Sequence, residues 1–247
     1  MTEFRMKIAG QVGKITAAFD STPAYFSAYL TKETPDFSGE ITPEDREFEQ
    51  KASVAEALEE GIRPRVYTGP HLERVAVQRK FAEHLFERDT LLVHGSTVAV
   101  DGKAYLFTAA CGTGKSTHTR LWREVFASRA AMVNDDKPFL AITDYGVTAY
   151  GSPWCGKHGL GSNIAAPLQG ICILERGTEN RIHRIPAEEA LPMLLHQSYC
   201  PLDPQKLPKF RQLVQALADR VPLWRMTCTK DPQAAQIAYN VMSQIKP

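Results

Sequence analysis

One stretch of the chain, Thr108-Ala-Ala-Cys-Gly-Thr-Gly-Lys-Ser-Thr-His118, carries the residue types and spacing of a phosphate site. The apolar run before it, residues 104–107, predicts a strand, and residues 115–126 predict a helix. A strand, a glycine-rich turn and Gly-Lys-Ser at the start of a helix are typical of a phosphate-binding loop. In such a loop the glycines accept positive φ, and consecutive backbone N–H groups face the anion.

The loop residues have separate expected roles. We expect Lys115 to reach the β- and γ-phosphates of a nucleoside triphosphate, and the Ser116 hydroxyl to help hold Mg²⁺. The usual pattern begins with glycine, whereas this chain has Ala109. A glycine-rich β-turn with a chance Gly-Lys-Ser is the alternative interpretation. The residues predicted to bind the nucleotide are Cys111, Gly112, Thr113, Gly114, Lys115, Ser116 and Thr117.

Two adjacent acids, Asp135 and Asp136, follow the apolar run 130–133 after the loop helix. Neighbouring residues on a strand point to opposite faces, but at the end of a strand both side chains could reach one site. One carboxylate would then touch Mg²⁺, directly or through water, and the other could accept the proton of an attacking hydroxyl. A solvated acidic turn is the alternative.

The elements before the loop predict a hairpin that positions it. Residues 91–94, 97–100 and 103–107 are apolar runs, and Asp101-Gly102 between the last two is a strong signal for a hairpin turn. The loop would therefore follow the second arm of a hairpin instead of the first strand of a parallel βαβ unit. His94 ends the first run, where a lone histidine is most often structural.

The rest of the chain predicts alternating strands and helices. Residues 151–167 hold four glycines and two prolines and predict a long loop, which in a compact domain is usually functional or disordered. Before the hairpin, Thr42-Pro-Glu-Asp45 predicts the start of a polar helix that ends at about Glu60. Further strands are predicted at 4–8, 13–19, 36–41, 138–143, 146–150, 168–175, 181–185 and 221–226, and further helices at 23–30, 69–87, 186–197, 204–218 and 231–245.

Composition excludes several classes of protein. The net charge of +1 over 247 residues argues against a nucleic-acid partner or an anionic membrane surface, and no apolar run is long enough to predict a membrane span. The N-terminus lacks the pattern of a signal peptide. Five scattered cysteines without a Cys-x-x-Cys pair indicate free thiols in a reducing cytoplasm.

The motifs His94-Gly-Ser-Thr-Val98, Gly102-Lys-Ala-Tyr-Leu-Phe107, Cys111-Gly-Thr-Gly-Lys-Ser116 and Asn134-Asp-Asp136 together resemble the catalytic domain of the HPr serine kinase/phosphorylase family. They are also similar to the nucleotide core of ATP-dependent phosphoenolpyruvate carboxykinase. The resemblance covers about residues 90 to 185. It implies a mixed α/β fold, with a phosphate-loop core on a mixed sheet and a smaller N-terminal α+β lobe. It also implies Mg²⁺-dependent phosphoryl transfer between ATP and a hydroxyl.

The same resemblance implies roles for the site residues. Ser116 and Asp136 would hold the metal, with Asp135 as catalytic base and His94 close by to tune or assist it. Which aspartate has which role stays open, and Asp135 is also a candidate metal ligand. A glycine-rich active-site signature of the HPr kinases falls on the predicted loop 151–167. Its chemical side chains here are Trp154, Lys157, His158 and Asn163, and we expect Lys157 to steady the developing phosphoryl charge.

The sequence thus favours a kinase that uses ATP and Mg²⁺ to phosphorylate a serine-like hydroxyl of a small molecule, peptide or protein. One alternative is a nucleotide-binding sensor or scaffold without turnover, and another is a phosphorylase or phosphatase running the reverse reaction. Residues 90–247 would form the catalytic domain and residues 1–89 a lobe that helps choose the acceptor. That lobe does not resemble the regulatory half of the HPr kinases, so HPr itself is a poor candidate substrate. A homo-oligomer is consistent with the resemblance.

Overall fold

The computed structural model describes residues 1–59 and 61–244, so the predicted helix ends at Glu60 and Ile245 lie outside the described residues. The chain divides into two compact units, Met1–Leu85 and Phe86–Pro247. The first unit has a three-stranded sheet in the order β1-β2-β3, with β1 and β2 antiparallel and β2 and β3 parallel. Its elements are β1 (Thr2–Ile8), β2 (Gln11–Ala17), α1 (Ser21–Tyr25), β3 (Phe37–Glu40), α2 (Pro43–Glu59) and α3 (Gly69–Phe86), the last ending one residue into the second unit.

The start of α2 confirms its sequence signal. The Thr42 N–H donates to Asp45 Oδ2 at 3.1 Å, and the Asp45 N–H donates to Thr42 Oγ1 at 3.2 Å. This reciprocal pair satisfies N–H groups that the first turn of a helix leaves without partners.

The second unit contains the hairpin, the phosphate loop and the acidic pair. Its strands are β4 (Thr90–Leu92), β5 (Ser96–Val100), β6 (Lys103–Thr108), β7 (Ala130–Asn134), β8 (Phe139–Thr143), β9 (Gly146–Tyr150), β10 (Ala165–Arg176), β11 (Arg181–Arg184) and β12 (Leu223–Cys228). Its helices are α4 (Lys115–Phe126), α5 (Ala187–Gln197), α6 (Leu207–Arg220) and α7 (Gln233–Met242).

The sheet of the second unit is mixed. Its order is β4-β8-β9-β10-β6-β5-β7, with β12 paired to β10 and β11 paired to β12. Strands β6, β10 and β12 run parallel, whereas β5–β6, β5–β7, β8–β9 and β9–β10 are antiparallel. The fold class is therefore mixed α/β, as the sequence predicted.

The predicted hairpin is β5–β6. Both turn residues have positive φ, 51° at Asp101 and 76° at Gly102, as a two-residue hairpin turn requires. The loop predicted at 151–167 is shorter than expected, because β10 begins at Ala165. The extra strand residues 165–167 pair with β9, and the remainder of β10 pairs with β6 and β12.

Both faces of this sheet are buried. Along β6, Leu106 points into one apolar core while Tyr105 and Phe107 point into the other, as the alternation of side chains on a strand requires. Helices α5 and α6 supply the first core, and α4 and α7 supply the second. The phosphate loop therefore leaves the middle layer of three and enters α4 on one face. Within the described residues, no helix is long and apolar enough to cross a membrane.

Candidate functional site

The backbone of the loop between β6 and α4 has the conformation that phosphate binding needs. Gly112 and Gly114 have φ of 72° and 125°, values that other residues rarely adopt. No atom lies within 4 Å of the position where a Cβ would stand on either glycine. Backbone conformation, not crowding, therefore requires glycine at both positions, and the space in front of them is open to a ligand.

Ala109 replaces glycine without disturbing the loop. It is not among the residues with positive φ, and its methyl group is fully buried in the core beside α4. Its carbonyl accepts a hydrogen bond from Lys115 Nζ at 3.1 Å. Lys115 itself is 9% exposed. The lysine ammonium is thus held against the loop backbone, next to where phosphate oxygens would lie.

Asn134 fixes the turn that presents the two acids. Its Oδ1 accepts the N–H of Asp136 at 2.7 Å and that of Lys137 at 2.5 Å. Its Nδ2 donates to the carbonyls of Ser152 at 2.9 Å and Trp154 at 3.3 Å. One buried amide therefore joins the acidic turn to the following glycine-rich loop. Sequence analysis gave Asn134 no role.

Asp135 is buried at 4% exposure beneath that loop. Its Oδ1 accepts the Gly156 N–H at 2.7 Å. Its Oδ2 is buried and has no hydrogen-bond partner among the described residues. Burial raises the pKa of this carboxyl, and the Asp136 charge adds to the effect, while hydrogen bonds from the Gly156 and Leu160 amides partly offset it.

Asp136 has the opposite electrostatic environment. Burial alone would raise its pKa, but the hydrogen bond from His94 and the charges of Lys137 and Lys115 hold it below its usual value. His94 Nε2 lies 3.2 Å from Asp136 Oδ1. His94 therefore contacts Asp136, whereas its assistance to Asp135 stays a prediction.

The backbone before β5 sets this contact. The His94 N–H donates to the Gln197 carbonyl at 2.7 Å, and the Gly95 N–H donates to the Asp136 carbonyl at 2.9 Å. A Cβ on Gly95 would stand 3.2 Å from the Leu106 side chain and from the Phe107 carbonyl, so the chain passes close to β6 here. His94 and Asp136 are therefore held together by main-chain pairing as well as by their side chains.

Residues 151–164 form a strap over the end of β7. A Cβ on Gly151 would lie 1.8 Å from the Ser162 carbonyl, so only glycine fits where the two ends of the strap meet. The Ser162 N–H donates to the Val133 carbonyl at 3.2 Å, and Gly161 bridges to Asn134. The strap is thus fixed to β7 at both ends.

The strap side chains predicted to act on substrate fall into two groups. Trp154 is 6% exposed and packs edge-on against Phe139, so its burial indicates an anchoring role. Lys157, His158 and Asn163 are exposed. Lys157 directly follows Gly156, the residue whose N–H binds Asp135.

Helix α4 carries His118 among its buried residues. His118 is 2% exposed, its ring packs against Phe107, and its Nε2 accepts the Trp122 Nε1–H at 3.0 Å. Burial lowers its pKa to about 4, so the ring is neutral with its proton on Nδ1. His118 also borders the cavity described next. Arg120, on the same helix, is exposed and pairs with Glu124.

A cavity of about 570 Å³ opens in front of the phosphate loop. Half of the residues that line this cavity were not predicted from the sequence, because they belong to no recognisable motif. The sheet topology could have indicated these residues, because the carboxyl ends of neighbouring parallel strands lie together at one edge of a sheet. Residues at and just beyond the ends of β10 and β12 join the loop and the first turn of α4: Gly112, Thr113, Gly114, Thr117, His118, Arg176, Gly177, Cys228, Thr229 and Lys230.

Comparison with known proteins shows a distant structural likeness. No protein-family model matches the chain, and no curated protein matches its sequence. Among solved structures it is similar to the HPr(Ser) kinase/phosphatase from Coxiella burnetii, at 11% identity and a TM-score of 0.32. The match covers 62% of this chain and 95% of that one. At this level of similarity, the geometry of the site has to carry the functional argument.

Replacing Asn134 with alanine should release the strap. The variant loses the hydrogen bonds of a buried amide to both the acidic turn and the strap, so we expect a loss of about 3 kcal/mol in unfolding free energy. Limited proteolysis should then cut within residues 151–164. Asn240→Ala, at an exposed position of α7, should change stability by less than about 0.5 kcal/mol. An Asn134→Ala protein as stable and as resistant as wild type would contradict this role.

His118 should make the protein sensitive to acid. The pKa of His118 falls from 6.5 in the unfolded chain to about 4 in the folded protein. The neutral ring therefore makes its full contribution to the free energy of unfolding above about pH 6.5. About 3 kcal/mol should be lost as the pH falls towards 4. His118→Gln can still accept the Trp122 N–H, and it should flatten urea-measured stability across that interval. An unchanged pH profile would show that His118 is not buried as a neutral ring.

Proposed function

We propose that this protein is a phosphotransferase that uses Mg²⁺ and a nucleoside triphosphate, ATP being the expected donor, to phosphorylate a serine-like hydroxyl. The observation that carries the proposal is the position of the acidic pair beside the phosphate loop. The charge of Lys115 is among those that lower the Asp136 pKa, so that carboxylate lies within electrostatic reach of the loop lysine. A loop alone supports nucleotide binding, whereas a loop with two carboxylates beside it supports transfer.

The nucleotide would lie across the loop and in the cavity. The N–H groups around Gly112 and Gly114 would bind its phosphates at the N-terminus of α4, where the helix dipole favours an anion. Lys115 would contribute a positive charge to the terminal phosphates. The cavity beside Thr117 is large enough to receive the nucleoside.

Magnesium fits the residues present. Among the described residues, no group of three or more His, Cys, Asp or Glu could hold a metal by itself. This suits Mg²⁺, which proteins usually bind through one or two oxygen side chains together with phosphate oxygens and water. The Ser116 hydroxyl and the Asp136 carboxylate would supply the protein ligands, and Asp135 could contribute through water. The bound ion would neutralise charge on the phosphate oxygens.

The acidic pair would divide the remaining work. Environments that push two neighbouring pKa values apart are a mark of acid–base assignments. Asp136 has a lowered pKa and would stay ionised, steadied by His94. Asp135 has a raised pKa and a buried Oδ2 without a partner in the described part of the chain, which suits a base awaiting the acceptor hydroxyl.

The strap must open for this chemistry. Gly156 covers Asp135, so an acceptor can reach the carboxylate only if the segment around residue 156 moves. The same movement would change the position of Lys157 with respect to the phosphoryl group. We propose that the Lys157 ammonium stabilises the negative charge that develops on this group during transfer. His158 and Asn163 would then face the acceptor from the same strap.

One observation favours a second candidate function. With the strap closed, Asp135 is 4% exposed, which is the state expected of a nucleotide-binding sensor that does not turn over. A phosphorylase or phosphatase remains a third possibility, because a protonated Asp135 could return its proton in the reverse reaction.

A transfer assay with matched aspartate variants tests the proposal. Wild type with Mg·[γ-³²P]ATP should label an acceptor in a pool of hydroxyl metabolites and Ser/Thr peptides. Asp135→Asn should lose about 10²–10⁴ in transfer rate while still binding nucleotide, because only the proton acceptor is removed. Asp136→Asn should instead weaken Mg²⁺-dependent nucleotide binding.

The exposed Asp144, with a side chain 96% accessible, provides the control, and Asp144→Asn should behave as wild type. Wild-type binding of MgATP without any transfer would favour the sensor. Transfer by Asp135→Asn at the wild-type rate would remove Asp135 from the reaction.

A further inference from the structure

Arg176 ends β10 and makes two hydrogen bonds to the phosphate loop. Its Nη2 donates to the Gly112 carbonyl at 2.5 Å, and its Nε donates to the Thr113 carbonyl at 3.3 Å. The strand pairing explains the reach. β10 lies parallel to β6, with Ile173 opposite Thr108, so the end of β10 extends alongside the loop that follows β6.

These two carbonyls belong to the peptide groups that carry the Thr113 and Gly114 N–H groups. In a trans peptide the C=O and N–H point in opposite directions, so fixing the carbonyl fixes the direction of the N–H. A charged donor on the carbonyl also polarises the peptide and strengthens its N–H as a donor. Arg176 therefore holds these two peptide groups from their carbonyl side, and the Gly114 N–H points away from the guanidinium.

The loop needs such a support because of its composition. Gly112 and Gly114 flank the two peptides, and glycine has more backbone freedom to lose than any other residue. Ordering this segment only when the ligand arrives would reduce affinity by the cost of that ordering. Within the turn itself, the Thr113 N–H donates to the Ala110 carbonyl at 3.3 Å, which is a long hydrogen bond.

We propose that Arg176 is a positioning residue that holds the phosphate loop in its anion-binding conformation before nucleotide arrives. The inference rests on the proposed nucleotide site and adds a determinant of nucleotide affinity that no motif marks. Arg176 also borders the cavity, but its Nε and Nη2 already donate to loop carbonyls. Arg176 therefore affects nucleotide binding by holding the loop backbone, and not by contacting the nucleotide directly.

The test is nucleotide affinity across arginine variants of the full chain. Dissociation constants for fluorescently labelled Mg·ADP and Mg·ATP should rise about tenfold in Arg176→Met, to the same extent for both, because the loop binds the phosphates that the two share. Arg176→Lys keeps the charge but cannot donate to both carbonyls in the same way, so its dissociation constants should lie between those of Arg176→Met and wild type. Methylguanidine should restore affinity to Arg176→Ala. Thermal unfolding should show all three variants folded.

Arg220→Met is the matched control, because Arg220 is an exposed arginine at the C-terminal end of α6, and this variant should bind nucleotide as wild type does. Wild-type affinity in Arg176→Met would overturn the inference while leaving the nucleotide site intact. A loss confined to ATP would also overturn it, since that would indicate direct contact with the terminal phosphate. Failure of wild type itself to bind either nucleotide would instead contradict the proposed function.

Discussion

The structure depends on one constraint: the backbone of the turn between β6 and α4 must adopt positive φ at two positions, residues 112 and 114. Two glycines with positive φ meet that constraint locally. The rest of the second unit holds the turn in place, with Ala109 buried below it, the Lys115 ammonium bonded across it and Arg176 bonded behind it. Because β6, β10 and β12 are parallel, their ends bring this turn and the cavity wall to one edge of the sheet.

The acidic turn is the second half of the site, and a single amide organises it. Asn134 directs the Asp136 and Lys137 amides with one atom and holds the strap with the other. The two aspartates then experience different surroundings although they are adjacent in sequence. Asp135 turns under the strap and is desolvated, while Asp136 turns towards His94 and two lysine charges. Burial and local charge thus shift the pKa values of two chemically identical side chains in opposite directions.

Sequence patterns predicted the parts of this fold that depend on local chemistry. The Asp101-Gly102 turn, the capping pair at Thr42 and the glycines of the loop each follow from the backbone conformation that one short segment adopts. Patterns also predicted the mixed α/β class. The burial of His118 could also have been predicted from the sequence, because His118 lies four residues before Trp122 and therefore shares the buried face of α4.

Features that depend on strand register could not be predicted in the same way. Arg176 contacts the loop only because β10 and β6 pair in one particular alignment, which no segment of the chain encodes alone. The pairing of His94 with Asp136 instead of Asp135 depends on the Gly95 bond to the Asp136 carbonyl. The sequence predicted a later start for β10, because Pro167 is typical of a loop. In the structure Pro167 pairs with β9 in an antiparallel ladder.

The most direct measurement is a crystal structure of the protein with Mg²⁺ and a non-hydrolysable ATP analogue. We expect phosphate oxygens on the N–H groups of residues 112–116 and the nucleoside in the cavity beside Thr117. Ser116 and Asp136 should be the protein ligands of the metal. An analogue bound elsewhere would contradict the central claim. So would a loop that binds the phosphates with the metal on neither Ser116 nor Asp136.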